Sequence, residues 1–164
     1  MKSLLTTLLL GTVIAVGGQA YAAAAPDPVI GTWTLNVAKS QFPPGLAPKS
    51  QTRTYAESAE GSTVLTFSGI AADGSPVSGQ STFNYDGKDY PMTGAPFYDT
   101  LSMTRVNATT ARSVLKKGRK VVGSTIRTVS RHGKVLTLST DLRDARGAKA
   151  KTVAVYDRQE SQSR

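Results

Sequence analysis

Thr63-Val64-Leu65-Thr66-Phe67-Ser68-Gly69-Ile70, then Ala71-Ala72-Asp73-Gly74-Ser75, then Ser78-Gly79-Gln80-Ser81-Thr82-Phe83-Asn84-Tyr85 is the stretch that decides the fold. Leu65 and Phe67 alternate with Thr66 and Ser68, and Phe83 and Tyr85 alternate with Thr82 and Asn84. That period of two belongs to a strand with one apolar and one polar face. Asp73-Gly74 supplies the turn between the two runs, with glycine where a tight turn needs positive φ. The stretch predicts an antiparallel hairpin.

The same grammar extends in both directions. Strands are expected at Ile30–Asn36, Gln51–Glu57, Thr63–Ile70, Ser78–Tyr85, Thr100–Val106, Thr110–Lys116, Lys120–Val129, Lys134–Leu142 and Lys149–Asp157, with a short one around Lys88–Met92. Further turns are expected at Asp86-Gly87, Asn107-Ala108-Thr109, Lys117-Gly118, His132-Gly133 and Arg146-Gly147. Trp33 and Leu35, Leu101 and Met103, and Leu136 and Leu138 also pair across hydroxyl residues. The runs at 110–116 and 120–129 alternate poorly, which leaves their registers open. No stretch shows a sustained helical period. The expected fold is all-β: an antiparallel up-and-down meander of about 8–10 strands, closed into a barrel to remove its exposed edges.

The chain has 164 residues, a formal charge of +9, no cysteine and one histidine. Disulfides, thiol catalysis and cysteine-ligated metals are excluded, and a multi-histidine metal site cannot form within one chain. Met1–Ala22 reads as a cleaved secretory signal. It has a lysine at position 2, an uncharged apolar run from Leu4 to Val16, and small residues before the cut after Ala22, with Ala24 or Ala25 as alternatives. That run is shorter than the roughly 20 residues of a spanning helix, so no transmembrane segment is expected after cleavage. A short lead (23–29), a single barrel domain (30–158) and a polar tail (159–164) follow. The expected location is periplasmic or extracellular.

Gly31-Thr32-Trp33 at the first strand resembles the Gly-x-Trp start of lipocalins and their calycin relatives. The resemblance implies a tryptophan that closes one barrel end under a basic residue of the last strand, here Arg158 in Val155-Tyr156-Asp157-Arg158. It makes Gly31, Trp33 and Arg158 the expected closure set and implies a lipocalin-like cavity. The chain also resembles a group of small secreted bacterial proteins without an assigned activity. That likeness rests on Gly31-Thr32-Trp33-Thr34-Leu35-Asn36-Val37-Ala38-Lys39-Ser40, Tyr85-Asp86-Gly87-Lys88-Asp89-Tyr90-Pro91 and Val153-Ala154-Val155-Tyr156-Asp157.

Arg53-Thr54-Tyr55 and Tyr156-Asp157-Arg158 each put an arginine and a tyrosine on one strand face, similar to the pairs that hold an acidic headgroup in fatty-acid-binding barrels. A guanidinium offers charge and a fork of donors, and the phenol adds one more. Two aromatic, proline-rich loops, 42–48 and 90–98, form either a cavity rim or a plug. The candidate ligand contacts are therefore Arg53, Tyr55, Tyr85, Tyr90, Phe97, Tyr98 and Tyr156.

Charge divides along the chain. Residues 23–104 carry four Lys/Arg against seven Asp/Glu, and residues 105–158 carry fourteen against three. Neighbouring strands would gather that excess, Arg127 included, into a basic wall, with Lys116, Lys117, Arg119, Lys120, Arg131 and Lys134 as its anion-facing members. Tyr156 is the only aromatic after Tyr98, so base stacking has little to use and nucleic acid is not an expected partner. Neither a catalytic set nor a metal site nor a cofactor is expected: His132 sits in a turn without an orienting carboxylate, and Lys88 interrupts Asp86 and Asp89. Two functions fit, both non-enzymatic. One is binding of a small anionic or amphiphilic ligand. The other is contact between the basic wall and an anionic envelope polymer, lipid surface or protein. The oligomeric state is open.

Overall fold

The computed structural model describes residues 26–143 and 147–160. The signal segment, Asp144, Ala145, Arg146 and the end of the polar tail lie outside the described residues. Ten strands follow one another: β1 (Gly31–Leu35), β2 (Ser50–Glu57), β3 (Thr63–Ile70), β4 (Pro76–Phe83), β5 (Asp86–Pro91), β6 (Thr100–Arg105), β7 (Thr110–Lys117), β8 (Lys120–Val129), β9 (Val135–Arg143) and β10 (Lys149–Arg158). Every neighbour pair is antiparallel, and the sheet order is β4-β3-β2-β1-β10-β9-β8-β7-β6-β5. First and last strands pair through Trp33↔Arg158 and Leu35↔Tyr156. The fold is all-β, an up-and-down barrel that is nearly closed.

The open seam lies between β4 and β5, and local chemistry accounts for it. Pro91 has no N–H to give to a ladder. Side chains replace the missing bonds: Ser81 Oγ donates to the Pro91 carbonyl at 2.8 Å, and the Gln80 amide donates to Thr93 Oγ1 at 3.0 Å. Gly94 has φ +72°, and a Cβ there would lie 1.8 Å from the Ser78 carbonyl oxygen, so only glycine lets the two backbones meet.

Two local expectations change. Asp86-Gly87 is not a hairpin turn. The chain crosses the seam at Asn84–Tyr85, and the positive φ of Gly87 falls within a register shift of β5 against β6. β8 alternates poorly for a reason the register supplies. Leu115 pairs with Gly123 and Lys116 with Val121, so Val122 is an extra residue, a bulge. Beyond it the inward positions are Gly123, Thr125, Arg127 and Val129, a half-polar face.

The up-and-down order places the connections at two ends. One end holds the lead, the link at 84–85, and the turns at 58–62, 106–109 and 130–134. The other holds the loops at 40–49 and 92–99 and the turns at 71–75 and 118–119. The first end is closed. Trp33 is fully buried, and its indole Nε1 donates to the Val29 carbonyl at 2.8 Å. The Arg158 guanidinium lies 4.1 Å from the Trp33 ring centroid and donates to the carbonyls of Pro28, Ile30 and Gly133. Gly31 runs beneath it at φ +136°, where a Cβ would stand 2.3 Å from Arg158 Nη1. Leu136, Val129 and Ala111 fill the floor.

Candidate functional site

Above that floor the barrel interior leaves a cavity of about 200 Å3. Its apolar wall includes Leu65, Leu101, Met103, Leu115, Leu138 and Leu142, and Phe42, Pro48 and Tyr98 stand at the loop-rich end. A row of hydroxyls, Ser113, Thr125, Thr140 and Thr152, crosses β7 to β10 at one level, with Thr125 Oγ1 and Thr140 Oγ1 2.8 Å apart.

Two arginines enter this space. Arg53 on β2 is placed by its register, between Trp33 of β1 and Phe67 of β3. Its guanidinium lies 5.5 Å from the Phe67 ring centroid and 5.8 Å from that of Tyr156, and Nη1 donates to the Tyr55 hydroxyl at 3.4 Å. Tyr156 in turn donates to Gln51 Oε1 at 2.6 Å. Among the described residues no carboxylate pairs with Arg53, and its buried Nε has no hydrogen-bond partner. Burial works against its charge, and the phenol oxygens of Tyr55, Tyr156 and Tyr98 outweigh burial, so the guanidinium holds its proton more firmly than usual. Burial pushes the Tyr98 and Tyr156 hydroxyls up, against the pull of Arg53, so both stay protonated donors at neutral pH.

Arg127, by charge a member of the basic half, points inward and is 4% exposed. It lies 5.4 Å from the ring centroids of both Tyr55 and Tyr85. Nη2 donates to the Tyr85 hydroxyl at 2.6 Å, while Nε and Nη1 have no partner among the described residues. The nearest acid is Asp27 of the N-terminal lead, 3.6 Å from Nη2. Asp27 is already engaged: Arg105 Nη2 donates to it at 2.7 Å, Tyr85 donates to the same oxygen, and the Val29 amide donates to Oδ1. One carboxylate thus serves two guanidiniums, and Arg53 has none. Arg127 escapes a sequence reading because its strand carries a bulge. The signal that remains is its position two residues from Thr125 and from the buried Val129.

Of the other sequence candidates, Tyr55, Tyr98 and Tyr156 line the cavity beside Arg53, and Tyr85 holds Arg127 from below. Tyr90 turns aside and donates to Asp86 Oδ2 at 2.9 Å, and Phe97 points outward. The six anion-facing cations do not form one patch. Lys116, Lys117, Arg119 and Lys120 sit at one end of β8, with Arg131 and Lys134 past its other end. Lys116, Lys117 and Lys134 are paired with Asp89, Asp99 and Glu160. Among the described residues no three His, Cys, Asp or Glu side chains come together as metal ligands do.

Asp27 ties the lead to the barrel, and its titration is a test of that tie. Burial alone would raise its pKa. The bonds from Arg105, Tyr85 and Val29, with the charge of Arg127, hold it below the usual carboxylate range. A depressed folded pKa contributes stability above the unfolded value of about 3.9 and loses it as pH falls through the folded one. Asp27→Asn should cost about 1–2 kcal/mol at neutral pH and nothing once the pH lies below the folded pKa. Urea unfolding at a series of pH values measures it, and parallel curves for the two proteins would refute it.

Comparison of the chain with protein-family models, with curated proteins and with solved structures found no match.

Proposed function

We propose that this barrel binds a small organic acid in its interior. The acidic head lies between Arg53 and Arg127 above the Tyr55 ring, and the apolar part lies among Leu101, Met103, Leu115 and Leu138. The observation that carries this reading is the pair of buried guanidiniums with unpartnered N–H groups facing one cavity. A buried cation without a counter-charge is costly, and so is each buried donor without an acceptor. An anionic head relieves both.

The space narrows the ligand. Sites for drug-sized molecules run to about 300–1,000 Å3, and about 200 Å3 is smaller. The ligand is a short-chain acid rather than a long fatty acid. The binder is exported and uses no cofactor. Calorimetric titration with straight-chain carboxylates of increasing length, and with the matching alcohols, tests this. Short carboxylates should bind and raise the melting temperature while the alcohols do neither. Equal binding of acid and alcohol, or of no member of the series, would remove the reading.

A further inference from the structure

The loop-rich end of the barrel, where the cavity opens, carries exposed apolar side chains and cations that enter no ion pair among the described residues. Leu46 is 52% exposed, Phe97 53% and Val121 56%, and Ile70 also faces solvent. They come from four different places on this rim: the loop after β1, the loop after β5, the start of β8 and the end of β3. In the two loops the neighbours of the exposed residues turn the other way, since Phe42 and Tyr98 line the cavity. Pro43, Pro44, Pro48 and Pro96 stiffen these loops, so holding the tips outward costs little extra entropy.

The charge on this end is mainly positive, although Asp141 lines the same groove as Val121, Arg143 and Lys149. Arg119 and Lys120 form the β7–β8 turn, Arg143 ends β9 and Lys149 begins β10. None of the four enters an ion pair among the described residues. Of the acids on this end, Asp89 and Asp99 are matched by Lys116 and Lys117, Asp73 is held by Ser75 with Lys49 near it, and Asp141 sits opposite Lys151 in the β9–β10 register. A soluble polyanion would use the cations but has no use for Phe97, Leu46 and Val121 beside them. An anionic bilayer surface uses both, because headgroup charge and hydrocarbon lie within one layer of depth.

We propose that the mouth end of the barrel docks on anionic lipid bilayers. Leu46, Phe97 and Val121 enter the headgroup boundary, and Arg119, Lys120, Arg143 and Lys149 face the acidic headgroups. This orientation turns the cavity toward the membrane. The proposal does not depend on what the cavity holds, because the acid titration is done without lipid and the docking test without acid.

Flotation tests it, using protein in the form its host accumulates. Vesicles of phosphatidylcholine, with and without phosphatidylglycerol, are compared. Binding should require phosphatidylglycerol and weaken at higher salt. Phe97→Ser with Leu46→Ser should reduce it about tenfold or more. Arg119→Gln and Lys120→Gln should each reduce it about fivefold. All four side chains are on the surface, and unchanged melting temperatures would confirm that the variants fold. Failure to float with phosphatidylglycerol vesicles would overturn the proposal, and so would equal binding to both vesicle types. So would vesicle binding indifferent to the rim variants, which would place the contact elsewhere. Polyphosphate binding as tight as vesicle binding, and indifferent to Phe97→Ser, would assign the rim to a soluble polyanion instead.

Discussion

Trp33→Ala should cost about 3–5 kcal/mol of folding stability, the range of buried aromatic-to-alanine changes. A domain of this size holds only about 5–15 kcal/mol in all, so the variant should unfold at low urea or fail to accumulate. The cost has three sources. The fully buried indole leaves a void in the closed floor. The Val29 carbonyl loses its indole donor. The Arg158 guanidinium, which lies 4.1 Å from the ring centroid, loses the face it stacks on. Trp33→Phe separates these effects, since it keeps an aromatic face and loses the donor, and about 1–2 kcal/mol is expected for it. Urea midpoints measure both. A loss below about 1 kcal/mol for Trp33→Ala would mean that the floor repacks without its tryptophan.

Arg53→Met should have opposite effects on folding and on binding. Methionine keeps much of the arginine length and removes a buried cation that no described carboxylate balances. Replacing poorly compensated buried charge by apolar side chains is often stabilising, by about 1–4 kcal/mol. The melting temperature should therefore rise. Affinity for a short carboxylate should fall about 10- to 100-fold, the loss of a charged hydrogen bond. Arg127→Met is the informative partner, because Asp27 keeps Arg105 and Tyr85 when Arg127 is gone. It should lose a similar affinity with a smaller gain in stability. Should Arg53→Met lower stability while leaving acid binding intact, the cation would be a structural one, stacked between Phe67 and Tyr156.

How much of this was legible follows from what each residue depends on. The hairpins of β3–β4 and β9–β10 are local: period-two alternation sets the faces, and their strand ends fall within about two residues of the expected positions. Arg53, Tyr55 and Tyr156 were readable as candidates because an arginine and a tyrosine two residues apart on a strand must share a face, and Tyr98 because its loop is rich in aromatics. Arg127 was not. Its charge assigned it to the solvent, the bulge at Val122 shifted its register, and only the ring of neighbouring strands turns it inward. Asp27 was equally hidden, since nothing between Pro26 and Pro28 announces contacts with Tyr85 and Arg105 58 and 78 residues away.

The basic half shows the same limit. Counting charges predicted a wall, and the strand directions divide its members between the two ends of β8. The apolar loops were recognisable as exceptional, but whether Phe97 or Tyr98 faces the cavity depends on how the chain crosses the rim.

From its sequence alone this protein is an all-β meander with polar outer faces, because alternation and turn residues act over a few positions. Where the sheet stays open, which arginines lie inside, and which end gathers apolar tips and exposed cations are decided only by closure of the barrel. Closure brings strands distant in sequence to one level, and there burial, rather than residue type, determines whether a charge faces water or a cavity.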